Sequence, residues 1–337
     1  MKNDELVLLS KDREILHIVS GHSVGGTLRA SDTPSNNVVV WFDSLTIGPT
    51  LGKTLEETTR IRRQFFLKSS KSSWLDSEPP PPSYAQRNSV LQHCGEWREL
   101  ALWFGPSMME QFSLLQILSA IAEQDLRQTR VTLVTCPKLA LGVYRPEEMS
   151  GFFKARNPIS REQTKLAKRA WELYSGPDPM PLFHFARRHV ESAPLLSDAL
   201  LCQIESYPSV RNGLSLSEQA LLQEVEVRGT IMRAVGHVLA NDDKFRTGDV
   251  ELFDALLAFL TCEIPLVEPA EKDHNVKSFA EFRKLAVKLS AVGRNVLSGQ
   301  SDNVTLNGLN RWIGGVHLKG KTSPWRWDFE KKALKSC

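Results

Sequence analysis

The chain has 337 residues, of which 42 are basic and 39 acidic, so its net charge is +3; 41% of the residues are hydrophobic and 24% are charged. This length exceeds the size at which a single hydrophobic core usually stops growing, so we expect two or three domains. The composition is that of an ordinary globular protein, and the net charge is too small to indicate nucleic-acid binding by itself.

The N-terminus and the cysteines bear on cellular location. Residues 1–19 carry acidic and basic residues on both sides of a very short apolar run, which does not fit a signal peptide. No apolar stretch reaches the ~20 residues that a membrane helix needs. The five cysteines contain no C-x-x-C pair, so neither a structural zinc site nor a disulfide framework is indicated. We expect a cytoplasmic protein without a membrane partner; the sequence assigns no cofactor, no metal site and no oligomeric state.

A βαβ unit opens the chain. The apolar run at 15–20 predicts a buried strand, residues 21–26 a turn, 27–30 a helix, and 38–42 a second buried strand. The loops at 21–26 and 43–49 would then lie at the carboxyl ends of neighbouring parallel strands. Ligands of parallel sheets bind at this edge, so we expect the site there.

A helix with a capped start follows this unit. Thr54 and Glu57 form a capping box, in which two side chains satisfy each other's free amides. The helix carries basic residues beside aromatic ones: Arg60, Arg62, Arg63 and Lys68 with Phe65 and Phe66. We interpret them as a solvated basic face over a packed aromatic stripe, with phosphate binding as the alternative. Four consecutive prolines within 69–83 exclude a helix or a central strand, so we expect a mobile loop or a lid.

Strands and helices continue to alternate up to residue 144. Buried strands are predicted at 100–104 and 131–135, with a long amphipathic helix at 107–124 between them. Such alternation predicts a mostly parallel sheet covered on both faces. Residues 1–144 are therefore expected to form a three-layer α/β domain.

The pattern becomes helical after residue 144. We expect a helical connection at 145–176, within which a second capping box at Ser160 and Gln163 begins a helix. A mainly helical domain is expected at 177–337. Its predicted helices are at 182–190 and 197–207, from a third capping box at 213–218 through about residue 228, and at 231–239, 249–261 and 291–297. Strand-like alternation occurs at 282–290 and 312–318. Helices followed by a small β-hairpin resemble a winged helix-turn-helix.

The motif Gly-His-Ser-Val-Gly at 21–25 matches the G-x-S-x-G nucleophile elbow of α/β-hydrolases, with Ser23 as the nucleophile. It follows the first strand, where no earlier strand can supply the second oxyanion-hole amide. A triad also needs an acid and then a histidine; Asp43 is well placed. The downstream histidines have no distinguishing context: His93, His184 and His317. Serine hydrolysis is therefore the weaker interpretation.

An anion-binding turn is the better interpretation of residues 21–27. Glycines allow close approach of the backbone, and the amides of residues 24–27 at a helix start would attract an anion. No nucleotide-binding fingerprint is present, and the structural alternative is a tight turn in which the glycines only let helix and strand pack. The predicted ligand-binding residues are Gly21, His22, Ser23, Gly25, Gly26, Thr27, Asp43, Thr46 and Gln111.

Polar side chains converge at the predicted strand ends. Asp43 follows the second strand, where a carboxylate can take a proton, hold a hydroxyl or cap the next turn. His22 and Ser23 follow the first strand, and Glu110 follows the third. The candidate catalytic residues are Asp43, Glu110, His22 and Ser23.

Aromatic and basic residues alternate near the C-terminus. The tryptophans are Trp312, Trp325 and Trp327, and the arginines are Arg311 and Arg326. Such a pattern can stack on bases, but tryptophans on short strands more often pack a small β-sheet. The predicted recognition helix at 249–261 carries acids and no lysine or arginine, which disfavours major-groove binding through it.

Several segments together resemble a known family pair. The stretches HIVSGHSVGGTL at 17–28, WFDSLTIGP at 41–49 and LWF at 102–104 with Gln111 resemble the bacterial domain-of-unknown-function family 1835. The stretches GLSLSE at 213–218, RWIGGVH at 311–317 and WRWD at 325–328 resemble the accompanying 3658-type C-terminal region. The resemblance implies this architecture but no activity.

The chain departs from the family pattern at two places. The family usually has an acid where His22 stands, and a His-Asp pair where this chain has Pro106 and Ser107. Asp43 is retained, and Glu110 stands where the family commonly has another acid. If these acids form a site in relatives, the resemblance implies that two of them are absent here.

The favoured hypothesis is a ligand-responsive protein. Its α/β domain would bind a small phosphorylated or nucleotide-like molecule, and its helical domain would bind DNA or a protein partner, with DNA the more weakly supported. One alternative is an enzyme, a hydrolase or transferase, that uses Asp43 or Glu110 with His22 or Ser23. The other is a catalytically silent interaction protein.

Overall fold

The computed structural model describes residues 13–69, 84–137, 140–244, 246–271, 276 and 278–336. The predicted proline-rich loop lies almost entirely outside the described residues.

Strands and helices alternate in the N-terminal part, as predicted. They are β1 (Ile15–Val19), α1 (His22–Arg29), β2 (Val38–Val40), α2 (Leu55–Ser69), α3 (Ala85–Gln92), β3 (Glu99–Trp103), α4 (Met108–Ile121), β4 (Arg130–Val134), α5 (Pro146–Lys154) and β5 (Asn157–Pro158). The four strands predicted from apolar runs are all present. The short strand β5 was not predicted, because two exposed residues carry no apolar signal.

These strands form one mostly parallel sheet in the order β2-β1-β3-β4-β5, in which only β5 is antiparallel to its neighbour. In the centre, His17 lies opposite Val38 on one side and Ala101 on the other. Helices α1 and α5 cover one face, and α4 covers the other. The three-layer α/β prediction is therefore confirmed.

The C-terminal part is mainly helical with small antiparallel strand pairs, as predicted. Its helices are α6 (Arg161–Tyr174), α7 (Met180–Arg188), α8 (Pro194–Ile204), α9 (Leu216–Arg228), α10 (Ile231–Asn241), α11 (Asp249–Thr261), α12 (Phe279–Lys284), α13 (Ala291–Ser298) and α14 (Asn303–Asn307). Its strands are β6 (Val267–Pro269), β7 (Val287–Leu289), β8 (Leu309–Ile313), β9 (Val316–Gly320), β10 (Trp325–Asp328) and β11 (Ala333–Ser336). Within the described ranges, no helix is both long and apolar enough to span a bilayer.

The strand predicted at 282–290 is wrong in its first half. Residues up to Lys284 belong to α12, and only Val287–Leu289 form a strand. The physical reason is a helix cap: the hydroxyl of Ser278 accepts a hydrogen bond from the amide of Glu281. This cap outweighs the alternation of apolar residues.

The core of the sheet continues beyond residue 144. Helices α6 and α8 pack on α4, so Ala167, Ala170 and Leu200 share one buried cluster with the strands. A second buried cluster runs from Leu214 to Val296. The division into 1–144, 145–176 and 177–337 stays a prediction, but the first hydrophobic core draws on all three ranges.

The turn of the β8–β9 hairpin is wedged against the end of α6. The amide of Gly315 donates to the carbonyl oxygen of Tyr174 at 2.9 Å, and a Cβ on Gly315 would collide with the carbonyl oxygen of Ser175. We therefore expect Gly315→Ala to lower the free energy of unfolding by about 2 kcal/mol or more. Chemical denaturation measures this effect.

Gly236→Ala is the matched control, because a Cβ at Gly236, on the exposed side of α10, meets nothing within 4 Å. We expect it to be neutral or to stabilise by about 0.5 kcal/mol. Equal stability of the two variants would contradict the close approach of the hairpin to α6.

Candidate functional site

Helix α1 begins directly after β1, so the turn predicted at 21–26 is wrong. Gly21 is the N-cap in an extended conformation, and no side chain caps the helix. The amide of Gly25 donates to the carbonyl oxygen of Gly21 at 3.0 Å, so the amides from Gly25 onward belong to the helix. The amides that point out of the helix start are those of residues 22–24, not those of 24–27 as predicted.

The structure separates the predicted glycines into two groups. Gly25 is buried, and a Cβ there would lie 3.3 Å from Val40 and 3.5 Å from Val19, so this glycine lets α1 pack on the sheet. Gly26 and Thr27 lie one turn further along α1. Of the predicted residues in this segment, only Gly21, His22 and Ser23 are at the helix start. The side chains of His22 and Ser23 are exposed there.

Asp43 is not available to a ligand, contrary to the prediction. Its carboxylate is 5% exposed and accepts hydrogen bonds from Nε of Arg62 at 3.0 Å and from Nη2 at 2.7 Å. Arg62 is completely buried and also donates to the carbonyl oxygens of Ser44, Ile47 and Pro49. The pair therefore holds the loop after β2 in shape.

The same loop joins the sheet to the helical part. The hydroxyl of Tyr174 donates to the carbonyl oxygen of Leu45 at 2.8 Å, and Nε2 of Gln203 donates to that of Thr46 at 2.9 Å. The amide of Thr50 donates to the carbonyl oxygen of Gly314 at 3.0 Å. Thr46 thus lies at the contact between the sheet and the helical part. Like Asp43, it is buried and does not line a site at the carboxyl ends of the strands.

Glu110 connects three segments at the carboxyl edge of the sheet. Its Oε1 accepts from the hydroxyl of Ser20 at 2.5 Å and from the amide of Leu141 at 3.4 Å, and its Oε2 accepts from the hydroxyl of Ser107 at 3.0 Å. Glu110 is 7% exposed. Burial raises the pKa of its carboxyl, although these hydrogen bonds oppose the rise.

This cluster lies where the strand order reverses. From β1 the sheet extends to β2 on one side and to β3 on the other, which opens a crevice outside the carboxyl ends of β1 and β3. Ser20 follows β1, and Ser107 follows β3. Gln111 donates to the carbonyl oxygen of Gly105 at 2.7 Å and holds the same turn. The predicted edge of the sheet therefore contains Glu110, Gln111, His22 and Ser23.

The residues after β4 complete this edge. A Cβ on Gly142 would lie 3.4 Å from Cβ of Ser23, so this turn contacts the start of α1. Burial raises the pKa of the Cys136 thiol to about 11, and the negative charge of Glu110 adds to the effect. The first turn of α1 thus lies between the end of β1 and the segment after β4.

Arg87 is a second buried arginine near the end of β2. Its guanidinium lies between the rings of Trp41, at 3.9 Å, and Tyr84, at 4.0 Å, and burial lowers its pKa to about 10. It also donates to the carbonyl oxygen of Phe42 at 3.2 Å, and the Phe42 ring lies 6.4 Å from that of His22. Arg87 therefore holds the backbone at Phe42, whose exposed ring lies beside the helix start.

Sequence reasoning missed three residues of this arrangement: Ser20, Ser107 and Arg87. Ser107 had a signal, because Ser-x-x-Glu at 107–110 is the pattern of a helix cap. Ser20 had none, since Glu110 is 90 positions away, and for Arg87 the partners Trp41 and Phe42 are also distant in the chain.

No protein-family model matches the sequence, and no curated protein is similar to it at a significant level. The resemblance to family 1835 and its companion region therefore stays a prediction.

The C-terminal tryptophans and arginines divide between core and surface. Trp327 is 4% exposed, and Arg326 is buried in an ion pair with Asp302 at 3.0 Å, as the packing interpretation expects. Trp312 stacks on His317 with ring centroids 4.2 Å apart. Within the part of the chain that the structure describes, no group of three histidine, cysteine or acidic side chains is arranged to hold a metal ion.

Proposed function

We propose that the chain binds a small anionic ligand, phosphorylated or nucleotide-like, at the first turn of α1. The observation that carries the proposal is an uncapped, exposed helix start at the reversal point of the sheet. Such a start presents free amides and the positive end of the helix dipole, which together favour an anion. Gly21, His22 and Ser23 are the proposed contacts, with Gln111 holding a neighbouring turn.

Preorganisation supports this proposal. Glu110 ties the end of β1, the start of α4 and the turn at residue 141 to one another through its hydrogen bonds. The walls of the crevice are thus fixed before a ligand arrives, which reduces the entropic cost of binding.

For the helical part we propose winged-helix character and a protein partner. Helix α9 is followed by α10, α11 and the antiparallel pair β6–β7. Between α9 and α10, Thr230 forms an isolated antiparallel β-bridge with Ala286. Because α11 carries three acids and no lysine or arginine, its charge favours a protein partner over DNA.

One hydrogen bond supports communication between the two parts. The amide of Met108, at the start of α4, donates to the carbonyl oxygen of Lys244 in the α10–α11 connection at 3.3 Å. Met108 adjoins Ser107, which bonds to Glu110. A ligand that shifts this end of α4 would therefore also move the α10–α11 connection. In this way ligand binding to the α/β part would change the helical part.

Free thiols support a cytoplasmic location. Cys94, Cys136, Cys202 and Cys262 form no disulfide among the described residues. We infer a reducing compartment from this state.

Ser23→Asp tests the ligand site. A carboxylate in the first turn stabilises the helix start but repels an anion, so the fold is kept while binding is lost. With inorganic phosphate, nucleotides and sugar phosphates, with and without magnesium, we expect at least one compound to raise the Tm of the wild type. A ligand at about a hundred times its Kd adds about 2.7 kcal/mol.

The same compound should leave the Tm of Ser23→Asp unchanged. Gly236→Asp is the matched control, because it adds the same charge on an exposed helix position far along the chain and should respond as the wild type does. If no compound of the panel stabilises the wild type, or if Ser23→Asp responds fully, the proposed site is wrong.

A further inference from the structure

Ser20 and Glu110 form a hydroxyl–carboxylate pair that anion binding at α1 does not require. The two residues are 90 positions apart in the chain, and the pairing of β1 with β3 brings them within 2.5 Å. Ser20 is partly exposed at the strand end, whereas Glu110 is buried behind it. An accessible hydroxyl that donates to a buried carboxylate has the geometry of a nucleophile and its base.

The carboxylate is itself oriented, as a catalytic base must be. The hydroxyl of Ser107 holds Oε2 at 3.0 Å, and the amide of Leu141 approaches Oε1 at 3.4 Å. Both donors come from strand ends other than that of Ser20. Glu110 therefore presents Oε1 to Ser20 from a fixed position.

Oxyanion donors lie next to the nucleophile in the chain. Helix α1 begins two residues after Ser20, and its first turn has no side-chain cap. Backbone amides at a helix start stabilise the negative charge that develops on a carbonyl oxygen during acyl transfer.

We propose that Ser20 is the nucleophile of an esterase activity on small activated carboxylic esters, with Glu110 as general base. As Ser20 Oγ bonds to the ester carbon, its proton moves to Glu110, and the carbonyl electrons move to the oxygen beside the α1 amides. Collapse expels the alcohol, which takes the proton from Glu110 and leaves an acyl group on Ser20. Water then attacks this acyl group, Glu110 accepts its proton, and Ser20 regains a proton as the acid leaves.

In this proposal the nucleophile is Ser20 and not Ser23, the serine of the G-x-S-x-G motif. Ser23 is exposed in the first turn of α1 and lies against Gly142. The carboxylate contact belongs to Ser20, one residue before the motif. This activity is independent of a stably bound anion, so either proposal can fail without the other.

Fluorophosphonate labelling of the full chain, followed by peptide mass spectrometry, tests the proposal. We expect one adduct on Ser20 in the wild type, together with hydrolysis of p-nitrophenyl acetate, and the loss of both in Ser20→Ala. Glu110→Gln keeps the shape of the side chain but cannot take the proton, so labelling should slow about a hundredfold. Ser192→Ala, at an exposed serine between α7 and α8, is the matched control and should label at the wild-type rate.

A folded wild type without an adduct on Ser20 overturns the proposal, and so does an adduct that maps to Ser23. A folded Glu110→Gln variant that labels at the wild-type rate also overturns it. If Glu110→Gln does not fold, Ser107→Ala takes its place, because it keeps the base but removes one orienting hydrogen bond. That variant should label about tenfold more slowly, and an unchanged rate excludes Glu110 as an oriented base.

Discussion

Asp43→Asn is expected to lower the free energy of unfolding by about 3–5 kcal/mol. The carboxylate and the guanidinium of Arg62 are both almost completely buried, with Nη2 and Oδ1 2.7 Å apart. Neutralising Asp43 leaves a buried positive charge without its counter-ion, and the desolvation cost of that charge is no longer offset. Urea denaturation of the variant and the wild type measures the effect.

Two comparisons separate this structural role from a role in ligand binding. Glu172→Gln breaks an exposed ion pair with Arg169 and should cost less than about 1 kcal/mol. The double variant Asp43→Asn with Arg62→Met removes both charges, so its loss should be smaller than the sum of the two single losses. If Asp43→Asn keeps full stability but abolishes ligand binding, the ion-pair interpretation is wrong and the original prediction for Asp43 is restored.

The sheet was predictable because its signal is local. β1, β3 and β4 are mostly apolar and mostly buried, and each begins and ends within one residue of the apolar run that predicted it. The loop after β1 was harder, because glycines at a strand end are typical of a turn, and the packing role that Gly25 has in the structure was only the alternative interpretation. Tertiary packing outweighed local propensity in this segment.

The position of these polar residues at the edge of the sheet was predictable, but their hydrogen-bond partners were not. Asp43 and Arg62 are 19 positions apart, and Arg62 stands among exposed basic residues of α2. The spacing within α2 gives one local indication that Arg62 is buried. Arg62 follows the buried Thr58 by four positions and therefore lies on the same helix face. A single sequence does not tell which of several arginines meets a given acid.

The Ser20–Glu110 pair needed knowledge of the strand order. Two strands adjacent in sequence, β1 and β2, are also neighbours in the sheet, but β3 lies on the other side of β1. Only that order brings the end of β1 against the start of α4. Sequence reasoning placed Glu110 near the correct edge, and the register of the sheet supplied its partner.

His17 occupies the middle of the sheet and is completely buried. Its Nδ1 accepts a hydrogen bond from Nε1 of Trp103 at 2.9 Å, and the Phe153 ring packs against it at 5.5 Å. An indole nitrogen can only donate, so Nδ1 carries no proton and the imidazole is neutral. Burial lowers the pKa of His17 to about 4, although the Pro34 carbonyl and the charge of Glu99 oppose the effect.

Acidification is therefore expected to destabilise the protein through His17. Well above pH 6.5 the imidazole is uncharged in both the folded and the unfolded chain and contributes nothing to the pH dependence. As the pH falls below 6.5, the unfolded chain binds a proton that the folded chain does not, so stability falls until the pH reaches about 4. At about 1.4 kcal/mol per pH unit, the loss over this window is about 3 kcal/mol.

His17→Asn isolates this contribution, because its amide oxygen can replace Nδ1 as the acceptor for Trp103 but does not titrate. Between pH 6.5 and 4 we expect the wild type to lose about 3 kcal/mol more than this variant, whatever the stability of either at pH 7, because the other titrating groups are common to both. Burial opposes ionisation of Glu99, but hydrogen bonds from Arg156 and Arg130 lower its pKa to about 2. Its contribution to stability therefore begins to fall below pH 4.5, and it does so in both proteins. His93→Asn, at an exposed histidine, serves as the control and should retain the wild-type pH dependence. A His17→Asn variant that loses stability in parallel with the wild type across this window would show that protonation of the buried imidazole does not drive acid unfolding.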